Sequence, residues 1–103
     1  MIKEYLDLND LKQDYPIAIK LVLDENKMQF PHAKFVRAIV GRDPLSEEND
    51  DDNNYLHLMA LFDLGTPNML LWAWVPYIDR YDPWIDEYYE ITPEQQKSYL
   101  NLI

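Results

Sequence analysis

Hydrophobic and polar positions alternate along this chain in several distinct ways. Residues 1–15 place Tyr5, Leu6, Leu8 and Leu11 as the apolar positions of a short amphipathic helix, with Asn9 as an alternative cap for a single later turn. Pro16 breaks that pattern. Residues 17–23, Ile-Ala-Ile-Lys-Leu-Val-Leu, set Ile17, Ile19, Leu21 and Leu23 at every second position, which predicts a strand. Residues 34–40, Lys-Phe-Val-Arg-Ala-Ile-Val, are rich in β-branched residues and end at Gly41, a second predicted strand. A helical reading stands beside each of these. Asp14 with Pro16 can start a helix over 16–24, and Pro31 can start one that Gly41 stops.

Residues 42–54 are polar and without periodicity, the pattern of a loop. Residues 55–62 and 69–75 are apolar on both faces. That predicts two central strands joined by the turn-rich stretch Asp63 to Asn68. A helical pair stopped at Gly65 and restarted at Thr66-Pro67 is the alternative. Asp82-Pro83 and Thr92-Pro93-Glu94-Gln95 both resemble helix starts, and the second has the residues of a capping box. The last helix, about 93–102, is expected to bury Tyr99, Leu100 and Ile103. The expected order is helix, sheet of about four antiparallel strands, acidic aromatic segment, helix: one small α+β domain over 1–103, with an all-α bundle of short helices as the alternative.

At 103 residues the chain has room for one domain, and 48% apolar residues suffice for a core. Without cysteine it has no disulfide framework, thiolate metal site or cysteine nucleophile. The N-terminus lacks the apolar stretch of a secretory signal, and the longest apolar run, Met69 to Pro76, is too short to span a bilayer. The expectation is a soluble cytoplasmic protein that does not bind a membrane.

Charge changes the picture most. The formal net charge is −10, so direct binding to a nucleic-acid backbone is not expected. Residues 1–42 hold six acids and seven bases, whereas residues 43–103 hold thirteen acids and two bases, Arg80 and Lys97. One acidic segment contains Asp43, Glu47, Glu48, Asp50, Asp51 and Asp52; the other contains Asp79, Asp82, Asp86, Glu87 and Glu90. Such clusters repel themselves, although an acidic surface also simply keeps a small protein soluble. The second segment interleaves its acids with Tyr77, Tyr81, Trp84, Tyr88 and Tyr89. Aromatics of this kind are enriched at interface hot spots. Carboxylates beside them suit the Arg and Lys of a basic partner. Some of these aromatics are equally expected to pack in the core.

Catalytic and cofactor chemistry finds no foothold. Glu47 to Asp52 lacks the alternating ligands and glycine of a calcium loop. His32 and His57 do not form a zinc motif, Ser46 and Ser98 lie in no nucleophile context, and Gly41 and Gly65 form no phosphate loop. No enzyme, metal or cofactor is expected. His57 is expected to be partly buried and hydrogen-bonded. Trp72 and Trp74 share a strand face with Leu70, either as core or as a ligand- or partner-facing surface.

No motif assigns a family. In its small size, lack of cysteine and strong acidity the chain resembles, as a class, phage-encoded inhibitors of host defence, among them anti-CRISPR proteins and DNA mimics. That resemblance implies carboxylates set into the basic nucleic-acid channel of a target in the host cytoplasm. The first functional expectation is thus a non-catalytic inhibitor that blocks the basic surface of a nucleic-acid-binding enzyme. Its contacts would be Asp79, Tyr81, Asp82, Trp84, Asp86, Glu87, Tyr88 and Glu90, with Glu47, Glu48, Asp50, Asp51 and Asp52 adding long-range steering. An immunity protein or antitoxin against a basic toxin is the second, and a small adaptor or ligand-binding domain the third. A homodimer is one way to cover two apolar strand faces.

Overall fold

The computed structural model describes residues 2–42, 56–66, 68–79 and 82–100, those at 2, 42, 99 and 100 by backbone alone. Five antiparallel strands lie in chain order: β1 (Ile2–Tyr5), β2 (Lys34–Arg42), β3 (Leu56–Asp63), β4 (Leu70–Val75) and β5 (Glu87–Ile91). Helices α1 (Leu8–Asp14) and α2 (Pro16–Gln29) connect β1 to β2, and α3 (Pro93–Leu100) follows β5. The domain is α+β, with one strand more than the sequence pattern implies.

Three elements differ from the expectations above. The predicted N-terminal helix is a strand followed by a shorter helix. Ile2–Tyr5 pairs with Gly41–Ala38, and the cap is Asp7, whose side chain accepts from the Asn9 N–H at 2.8 Å. The predicted strand over 17–23 is the first half of α2. Pro16 fits the first turn, where its missing N–H costs nothing, and Ala18, Ile19, Val22 and Asn26 form one buried helical stripe. The alternation misleads because Ile17 falls on the outer side, 69% exposed. Asp82-Pro83 starts no helix. By Asp86 the chain is already tied to β4, its N–H bonding the Trp74 carbonyl at 2.8 Å, and it continues extended into β5.

The strands over 34–40, 55–62 and 69–75 stand as expected, and neither β3 nor β4 is an edge. Between them Asp63 accepts from the Gly65 N–H at 2.8 Å, and Gly65 takes φ 77°, a conformation that favours glycine. The capping box at α3 is formed: the Thr92 N–H donates to Gln95 Oε1 at 2.8 Å and the Gln95 N–H to Thr92 Oγ1 at 3.3 Å. The loop over 42–54, Arg42 apart, and the expected burial of Tyr99, Leu100 and Ile103 lie outside what is described.

The register explains how the helices sit. Tyr5, Ala38, Ala60, Ala73 and Tyr88 are successive partners across all five strands. Three alanines make a shallow channel against which α1 and α2 bury Leu11, Ala18, Ile19 and Val22. The tyrosine at each end ties down a helix. The Tyr5 hydroxyl donates to Asp14 Oδ2 at 2.5 Å, and the Tyr88 hydroxyl donates to Asn26 Oδ1. A bulge at Val36 resets the register of β2, so that Phe35 meets Phe62 edge to face on this same side.

The opposite face buries Ile39, Met59, Leu61, Trp72 and Ile91, with Leu70, Trp74 and Tyr89 against them. Both faces of β3 and β4 are thus apolar and covered within one chain. No helix among the described residues is long and apolar enough to cross a membrane.

Candidate functional site

Register places one end of the sheet where β1 begins, β2 ends, β3 begins, β4 ends and β5 begins. Residues 76–79 and 82–86 lie at this end between β4 and β5. They are anchored to β3 by two bonds: the Ile78 N–H to the Leu56 carbonyl at 2.9 Å, and the Leu56 N–H to Asp79 Oδ1 at 2.9 Å. Asp79 therefore closes the first rung of β3 as well as carrying charge.

The same end of the sheet builds an aromatic run. Trp74 and His57 have ring centroids 5.8 Å apart, His57 and Tyr77 5.3 Å, and Tyr77 and Trp84 5.6 Å. His57 is buried, as expected, and Trp84 at the far end is 41% exposed. Tyr77 takes φ 54°, a left-handed conformation uncommon for a bulky residue. Strain of this kind persists only where surrounding contacts enforce it. Here the rings on either side and the Ile78 and Asp79 anchors hold the turn. The exposed indole thus stands on a braced stack rooted in the core.

Five of the residues singled out from sequence, Asp79, Asp82, Trp84, Asp86 and Glu87, come to this end of the sheet. Asp79, Asp82 and Asp86 are exposed. Glu87 is half-buried and has internal work: its Oε2 accepts from Trp72 Nε1 at 2.8 Å and from the Tyr89 hydroxyl at 3.3 Å. Tyr88 and Glu90 lie elsewhere, because alternate residues of β5 face opposite sides. Tyr88 packs under α2 against Phe30, and Glu90 lines a small cavity with Phe30 and Leu64 at the other end of the strand. Burial pushes the Tyr88 hydroxyl up to about 12, with the Glu25 charge adding to it. Tyr81, Glu47, Glu48, Asp50, Asp51 and Asp52 lie outside the described residues. Arg42 and Leu56, which flank the acidic stretch 43–55, are register partners at this same end.

Trp72 and Trp74 share the face expected of them. Trp72 is 1% exposed and belongs to the core, while Trp74 is half-buried and opens the aromatic run. Sequence reasoning did not connect His57, Trp74 and Tyr77 to Trp84. No spacing signals that contact, since it depends on how residues 77–79 are bound back onto β3.

The ion pairs among the described residues all lie in the first 42 positions: Lys3–Asp14 at 3.2 Å, Lys20–Asp24 at 3.1 Å, and Arg37–Glu4. Asp82 and Asp86 have no such partner among the described residues. What this end offers chemically is a field of negative charge around a supported aromatic. Comparison with protein-family models, with curated proteins and with solved structures finds no match to this chain.

Proposed function

We propose that this protein is a non-catalytic inhibitor whose acidic aromatic sheet end occupies the basic nucleic-acid-binding surface of a target protein. One observation carries the reading. Asp82 and Asp86 stand exposed and without an ion-pair partner among the described residues, on either side of Trp84, while the ion pairs cluster in the other half of the chain. Carboxylates of one sign left in water along a short segment repel one another, so their natural complement is an external cation. Nucleic acid presents one charge per ~1.7 Å of duplex axis, and a basic channel built for that field accepts clustered carboxylates. Trp84 adds apolar area that slows dissociation, which solvated charge alone does not.

The test is affinity capture from host lysate at low and high salt, with the bound protein identified by mass. The expected partner is a basic nucleic-acid-binding protein, released by salt and by competing DNA or RNA. Trp84→Ala is expected to cost on the order of 2 kcal/mol of binding or more. Asp82→Asn with Asp86→Asn is expected to slow association up to about tenfold, the scale of electrostatic steering. Retained fold, checked by circular dichroism, is the control for both. Capture only of neutral or acidic proteins, or binding indifferent to salt and to all three substitutions, overturns the proposal. A basic toxin as the captured partner would move the protein into the antitoxin class with the same surface chemistry.

A further inference from the structure

On the helical side a second feature has the opposite sign. A groove of about 590 Å³ runs along α2, floored by Leu8, Ile19, Leu23 and Phe30 and lined by Lys12, Lys20 and Lys27. Its volume falls in the range of small-molecule sites, ~300–1,000 Å³, and its lining has the usual composition of such sites, mostly apolar with a few placed polar groups. Lys20 is answered by Asp24 at 3.1 Å. Lys12 and Lys27 have no carboxylate within ion-pair distance among the described residues. In a chain of net charge −10 this groove is lined by more cations than anions.

Behind the groove lies a buried polar side chain. Asn26 is 5% exposed. Its Oδ1 is taken by the Tyr88 hydroxyl, and its Nδ2 has no hydrogen-bond partner among the described residues. Excess ammonium groups and an apolar floor together specify the ligand's chemistry. We infer that the α2 groove binds a small amphiphilic carboxylate, with its apolar chain along Ile19, Leu23 and Phe30 and its anionic head held by the lysines that line it. The inference does not rest on the acidic end of the sheet.

The probe is dodecanoate below its micellar concentration, titrated into the full-length protein beside dodecanol and dodecylamine. Calorimetry measures affinity, and amide chemical shifts locate the site. Dodecanoate is expected to saturate one site, to shift resonances of Leu23 and Phe30 rather than Trp84, and to bind more tightly than dodecanol, with dodecylamine weakest. Lys12→Glu with Lys27→Glu, both exposed and so tolerated by the fold, is expected to weaken dodecanoate by about tenfold or more, since each charge-assisted contact is worth a factor of that order. Equal binding of dodecanoate and dodecylamine, or equal binding by the wild type and the lysine double variant, overturns the inference. So does uptake only from anionic vesicles, or a groove filled by a second copy at working concentration.

Discussion

The first 42 residues and the sheet end built from residues 56–57, 74–79 and 82–87 solve the problem of charge in opposite ways. In the first region cations and acids are nearly balanced in number, and they meet: Lys3 with Asp14, Lys20 with Asp24, Arg37 with Glu4. In the second, Asp82 and Asp86 are exposed without a described ion-pair partner, and order comes from rings and backbone bonds instead. The difference teaches that acidity here is a local property. A uniformly acidic surface made for solubility would not leave one half near neutrality.

If rings hold the second region together, removing the buried ring next to it in β4, on which Glu87 leans, should cost more than any charge change. Trp72 is buried, and its indole N–H satisfies Glu87. Trp72→Ala is expected to cost ~3–5 kcal/mol, as other large-to-small core changes do, and to leave that carboxylate short of a donor. Denaturant midpoints measure it. A loss under 1 kcal/mol would break the comparison, because the acidic end would then rest on something other than packing.

The next effect concerns the tyrosines that tie the helices to the two edges of the sheet. Burial, reinforced by the Asp14 hydrogen bond, pushes the Tyr5 hydroxyl up to about 12, and burial does the same for Tyr88. The unfolded chain releases these protons near 10, the ordinary tyrosine value. A pKa raised on folding contributes stability that is whole below about 10 and is lost as pH rises through about 12. At buried Tyr5 a shift of that size corresponds to an upper bound on the order of 2–3 kcal/mol. Alkaline unfolding is therefore expected to steepen between these values, and Tyr5→Phe with Tyr88→Phe to flatten it. Asp14 works at the other extreme. The Tyr5 hydroxyl and then Lys3 hold its carboxyl below the usual range, so its contribution is present at neutral pH and is lost as acid protonates it.

How much of this was legible beforehand follows from which signals are local. The strands over 34–40, 55–62 and 69–75 and the Thr92 capping box depend on residues close in sequence, and they read correctly. The helix over 16–29 was ambiguous because alternation across seven residues fits both periods until the pattern is extended to Asn26. The strand Glu87–Ile91 was missed because an edge strand with two glutamates and two tyrosines lacks a strong apolar alternation, and with it went the fact that Tyr88 and Tyr89 face opposite sides. The charge, Trp84 and its neighbouring acids were visible as composition. Their support was not, since the bonds from residues 78 and 79 to Leu56 span more than twenty positions.

The smallest effect is the sharpest on the comparison itself, because its sign should differ between the two regions. Asp24 sits four residues beyond Lys20 on the exposed side of α2 and pairs with it. Replacing it, Asp24→Lys, exchanges an attraction for a repulsion and is expected to lower stability by a few tenths, up to about 0.5 kcal/mol. Asp82 belongs to the acidic segment of Asp79, Asp86 and Glu87 and has no ion-pair partner among the described residues. Asp82→Lys relieves repulsion there and is expected to raise stability by a similar amount. The same substitution is expected to weaken binding to a basic partner, so folding and function would separate at one position. Both stability changes are Coulombic between solvent-exposed groups. They should therefore shrink together as salt rises from about 0.1 M, where the screening length is ~10 Å, to about 1 M, where it is ~3 Å. Matched denaturation curves for the two variants at each salt concentration read the sign directly. Equal signs would mean that the acids of the sheet end are already neutralised within the folded chain, and the division between the two regions would fall.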